Sequence, residues 1–135
     1  SQGLSLDHNP VGMVRDRLDR EGFLSAATAQ STPGGRTIRV AGMVAHRQRP
    51  STANGIIFMT LEDETGNTNV VVWKSTLDRY RSEILQGQLL LIQGTIEREG
   101  EVVHVVASHI QDLSYKLGDL SKTNRDLSLS SRNFH

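Results

Sequence analysis

Phe58, Thr60 and Glu62 alternate with Ile57, Met59 and Leu61 along one short run of the chain. Such alternation marks a half-buried strand, with one face for a core and the other for water or a ligand. An aromatic side chain on the outer face can stack on an unpaired base, an interaction worth roughly 1–3 kcal/mol. The alternative is that Phe58 is covered by an amino-terminal helix or a neighbouring domain. A second feature lies just upstream. No acidic residue occurs between Glu21 and Glu62, whereas Arg36, Arg39, His46, Arg47 and Arg49 do. The last three belong to the run HRQRPST. Cations gathered beside a groove attract phosphates and speed association; the alternative is a solvated loop that is basic by chance. Arg98 is a further cation, bracketed by Glu97, Glu99 and Glu101, which weaken a phosphate contact there. The candidate nucleic-acid contacts are therefore Arg39, His46, Arg47, Arg49, Phe58, Thr60 and Arg98. Glu62 either accepts from a base amino group or pairs with Arg39 across the sheet. Trp73 reads as a packing residue.

Other chemistry is poorly served. Asp63 and Glu64 are adjacent acids, but their place in the run DETG suits a turn better than two carboxylates converging on one substrate atom. His104 and His109 are five residues apart in a strand-like region, so strict alternation points them to opposite faces. His8 and His135 lie near the ends, and no three histidines make a credible metal set. Phosphate-loop, dinucleotide and nucleophile-elbow glycine motifs are missing. The chain as given is not expected to be an enzyme or to hold a cofactor or metal.

The elements that must position these side chains follow from periodicity. Pro10 to Ala27 reads as a helix, with Asn9 as its cap, Val11, Val14 and Leu18 at helical spacing, and Gly22 as a stop after which Phe23 and Leu24 pack down. AQSTPGG, from Ala29 to Gly35, reads as a linker. Period-two segments follow over 36–47, 56–62, 69–73, 88–97 and 102–108, with a helix over 75–85 between the third and fourth. Gly42 falls where a strongly bent strand needs a residue without a side chain. Asp63 to Gly66 suits a type I turn. Five strands with one helix between the third and fourth is the order of an OB-fold, a small Greek-key barrel whose second and third strands and flanking loops bind oligonucleotides or oligosaccharides. The expected fold is thus mainly β, a five-stranded OB-fold barrel preceded by an N-terminal helix. Its expected divisions are an N-terminal helix and linker over 1–35, the barrel over 36–113 and a flexible tail over 114–135.

Composition sets the outer bounds. The chain has 135 residues and zero formal net charge, so only local charge can argue for nucleic acid. It has no cysteine, which is compatible with a reducing cytosol, and a cytoplasmic location is expected. No apolar run reaches the roughly 18 residues of a bilayer span, and no signal peptide is visible. The first residue is Ser rather than Met, so the chain is expected to be a piece of something longer.

The run VAGMVAHRQRPSTANGIIFMTLEDETGNTNVVVW, Val40 to Trp73, resembles the carboxy-terminal OB region of bacterial error-prone DNA polymerases, C-family relatives of the polymerase III alpha subunit. REGEVVHVVA (Arg98 to Ala107) and the terminal SRNFH are similar to that family too. So is LDHNPVGMVRDRL (Leu6 to Leu18), which in the family joins a helix-hairpin-helix region to the OB domain. The resemblance implies an accessory domain of a DNA-directed DNA polymerase that performs translesion synthesis after DNA damage. That polymerase works with the sliding clamp and an inactive Y-family-like mutasome partner, and its catalytic aspartates lie in a palm domain that this chain does not contain. It implies contact with single-stranded template DNA through Arg47, Arg49 and Phe58. Docking of the mutasome partners is the competing implication. The anticodon-binding OB domain of an aminoacyl-tRNA synthetase is a third reading, because its second strand also carries an outward Phe before an acidic turn.

Overall fold

A computed structural model describes residues 10–49 and 55–114. Two short helices, α1 (Pro10–Met13) and α2 (Arg15–Arg20), open the described chain. They stand where one continuous helix was expected. The chain leaves the helical path at Val14 and stops at Arg20, and Gly22 then takes φ 88°, a left-handed turn open to glycine. Phe23–Leu24 form a two-residue strand β1, parallel to β2 (Thr37–Gln48). The expected linker instead begins inside a helix, α3 (Ala26–Gln30), because the Ser25 hydroxyl accepts from the Thr28 amide and caps it. Asn9, the expected cap of the first helix, and the tail beyond Ser114 lie outside the described residues.

The barrel is built from β2, β3 (Ile57–Asp63), β4 (Gly66–Val72), β5 (Leu89–Glu99) and β6 (Val102–Asp112). Strand order is β1-β2-β3-β4-β6-β5, and β2 also pairs with β5, which closes the barrel. Between β4 and β6 the pairing is parallel; the other barrel pairs are antiparallel. This is the OB-fold expected from the strand and helix order. The helix expected between the third and fourth barrel strands is two, α4 (Lys74–Arg79) and α5 (Arg81–Gln86), broken at Tyr80.

One strand serves two partners. Residues Thr37 to Met43 of β2 pair with β5, and Met43 to Gln48 pair with β3. The strand must bend sharply between those stretches. It does so at Gly42, where a Cβ would stand 2.8 Å from the Leu61 Cβ, and again through a register shift between Val44 and His46. The inner faces then close on one core that includes Val40, Ile57, Met59, Leu61, Val70, Val72, Leu90, Ile92, Ile96 and Val105. A second, smaller apolar cluster of Val11, Leu18, Phe23, Ala41 and Leu89 fastens the amino-terminal helices to the outside of β2.

The acidic turn anchors those helices further. Asp63 is buried, and its Oδ1 accepts from the Thr65 amide, the Thr65 hydroxyl and the Gly66 amide, so the turn holds its own shape. Asp63 Oδ2 accepts from the Ala26 amide at 2.8 Å and from Arg15 at 3.1 Å, while Arg15 Nε donates to Glu64 at 2.6 Å. The Glu64 hydrogen bond, aided by the neighbouring carboxylates and opposed by burial, raises the Arg15 pKa above its ordinary value. Both carboxylates are therefore structural, as the turn reading required.

Candidate nucleic-acid interface

The outward face of the barrel is assembled by register. Ile57, Met59 and Leu61 are each 2% exposed, whereas Phe58 is 37% exposed. Phe58 is therefore left uncovered by the amino-terminal helices, which pack elsewhere on β2. Opposite it on the two neighbouring strands stand Gln48 and Val71. One row further along the sheet His46 faces Thr60, Thr60 faces Asn69, and Asn69 faces His104 of β6. These rows border a groove of about 400 Å³ lined by His46, Gln48, Phe58, Met59, Thr60, Asn69, Val70 and His104. Side-chain amides, imidazoles and a hydroxyl in one groove supply both donors and acceptors, the inventory needed to meet base edges and sugar oxygens. An aromatic at its end adds a stacking surface.

Of the seven candidate contacts, His46, Phe58 and Thr60 come together here. Arg49 follows the end of β2 and is exposed, with no ion pair to another described residue. The other three arginines are engaged elsewhere. Arg47 Nε donates to the Ile84 carbonyl at 2.6 Å and its Nη2 donates to the Gly87 carbonyl, at the carboxy-terminal end of α5. Arg98 donates to the carbonyls of Thr32, at 3.0 Å, and Gln30, at the end of α3. Helix ends leave their last carbonyls without partners, and a guanidinium satisfies them well. Arg39 donates to the Glu21 carbonyl at 2.6 Å and lies 4.9 Å over the Phe23 ring. It makes no pair with Glu62, which is exposed on β3.

Gln48, Asn69 and His104 were not singled out as contacts in the sequence. Asn69 and His104 carry a signal that alternation supplies, since each is opposite in parity to buried neighbours on its strand. The two histidines of β6 differ from expectation. The register shifts between Gln93 and Gly94, so the inward positions of β6 run Val103, Val105, Ala107 and then Ile110. That slip of one residue brings His109 to the outer side with His104. Trp73, expected to pack, is 51% exposed.

Residues 38–113 match the family described as OB-fold nucleic acid binding domain. The chain belongs to that family. The OB domain is also homologous to a segment of proteins named error-prone DNA polymerase. The chain is 49% identical over 124 residues to the one from Azoarcus sp. (strain BH72), and 45% identical over 126 residues to the one from Alkalilimnicola ehrlichii. These alignments cover 92% and 93% of the chain and 12% of each polymerase. The chain thus spans about an eighth of the length of these relatives. Among solved structures, asparaginyl-tRNA synthetase from Pyrococcus horikoshii superimposes with a TM-score of 0.57 at 18% identity, over 67% of this chain and 23% of that one. That likeness concerns the fold. Among the described residues no helix is long and apolar enough to cross a membrane.

Proposed function

We propose that this chain is the accessory nucleic-acid-binding OB domain of an error-prone translesion DNA polymerase, and that it holds single-stranded template DNA on the outward face of β3 and β4. The observation that carries the reading is Phe58, an exposed aromatic on an otherwise alternating strand, beside a groove of hydrogen-bonding side chains. The strand stacks a base on Phe58 and meets His46, Gln48, Thr60, Asn69 and His104 with its base edges and sugars. Arg49, the residue after Gln48, is exposed and supplies a cation at the end of β2. Polymerisation belongs to the remainder of such an enzyme, as do its metal ions.

Titration of labelled oligo-dT with the OB domain, followed by anisotropy, tests this. Saturable binding that Phe58→Ala weakens by about fivefold or more is expected. No binding at high-micromolar protein would count strongly against it. Oligo-U serves as a parallel arm: a clear preference for it would move the reading towards the anticodon-binding class. The docking alternative has its own signature. If removing the residues after Leu120 abolishes capture of the inactive Y-family-like partner or the sliding clamp, while Phe58→Ala and Arg49→Ala change neither capture nor polymerase activity, the domain is a protein-docking module.

A further inference from the structure

We infer that Trp73 is a second stacking residue, which receives the base next to the one on Phe58; this rests on the single-strand reading of the same face. Trp73 follows β4 directly and keeps an extended backbone, φ −77° and ψ 162°, so the alternation of the strand continues through it. Val70 and Val72 are 1% and 0% exposed, and Asn69, Val71 and Trp73 therefore share the outward face. Phe58 stands opposite Val71. Trp73 is then its diagonal neighbour, at roughly 7–8 Å between backbones, a separation that large aromatic side chains span. A single strand with its bases splayed steps by roughly twice the 3.4 Å rise of a stacked strand. Phe58 and Trp73 match that step.

The surroundings fit a ligand rather than a buried packing role. Burial of an indole in the barrel is excluded by parity, and at 51% exposure its ring offers a free face. Gly55, just before β3, takes φ 73° and lies so close to Lys74, the residue after Trp73, that a Cβ would meet the Lys74 Cβ and Cγ at 2.8 Å. The strand would thus run from the polar row of His46, Thr60, Asn69 and His104, over Phe58, to Trp73.

Trp73 is the one tryptophan of the chain, so its emission reports the site directly. Oligo-dT should quench that emission over the same concentration range in which anisotropy reports binding. Trp73→Ala should raise Kd by about fivefold or more, Trp73→Phe should restore most of the affinity, and thermal melts should match the parent. If oligo-dT binds and Phe58→Ala weakens it, yet the emission is unchanged and Trp73→Ala binds like the parent, the second stacking position is overturned while the Phe58 reading stands. If oligo-dT does not bind at all, both fall.

Discussion

A guanidinium that satisfies two main-chain carbonyls at a helix end holds that end in place, so Arg47 should matter to folding before it matters to binding. Hydrogen bonds to charged groups contribute about 1.5–3 kcal/mol. Arg47→Ala should therefore lower the urea midpoint by an amount equivalent to about 1–3 kcal/mol. Arg49 differs. Both are exposed, but Arg49 makes no ion pair with another described residue and no such carbonyl contacts, so Arg49→Ala should shift stability by no more than about 0.5 kcal/mol. The same change should flatten the plot of log K against log salt for oligo-dT by about 0.7, the share of one phosphate on a single strand. The two arginines are two positions apart in one basic run. Their difference lies in the carbonyls of Ile84 and Gly87, which Arg47 reaches across the fold.

At the scale of elements, two features hold the interface rigid. The bend of β2 at Gly42 lets one strand pair with both β5 and β3, and it depends on the absence of a side chain there. Gly42→Ala would force a Cβ to within 2.8 Å of Leu61 and should cost about 1–3 kcal/mol, measured by denaturant unfolding. Because β2 carries His46 and Gln48 into the groove, binding should fall with it. The second feature is the clasp of Arg15 on Asp63 and Glu64. Arg15→Ala removes hydrogen bonds to two carboxylates, one of them buried, and should cost about 2 kcal/mol. Asp63 keeps its bonds from Ala26, Thr65 and Gly66, so the turn itself should survive. Faster amide exchange over 10–20, with little change over 57–72, is the expected signature.

For the whole molecule the consequence is electrostatic. The chain is formally neutral, and the groove is lined by uncharged donors and acceptors with two imidazoles rather than by arginines. Arg39, Arg47 and Arg98 already donate to carbonyls and cannot offer a phosphate their full fork of donors. Binding of oligo-dT should therefore be weak and only mildly sensitive to salt. A log–log slope no steeper than about −1.5, the share of two phosphates, is expected from anisotropy at several ionic strengths. A steeper slope would place the strand along a more basic surface than this face.

The sequence was sufficient for whatever depends on neighbouring residues. Period two along 57–62 told core from surface and placed Phe58 outside, since successive side chains of a strand point to opposite faces. The order of strands and helix led to the barrel, and DETG led to its turn. Distance along the chain is where that reading stops. A basic run does not reveal that Arg47 meets carbonyls 37 and 40 residues away, or that Arg98 meets those 66 and 68 residues away. Strict alternation cannot foresee the slip in β6 that carries His109 to the side of His104. Nor does it say which outward residues of different strands become neighbours. Only strand pairing in the barrel, which fixes register between strands far apart in sequence, brought His46, Thr60, Asn69 and His104 into one row, with Phe58 in the next.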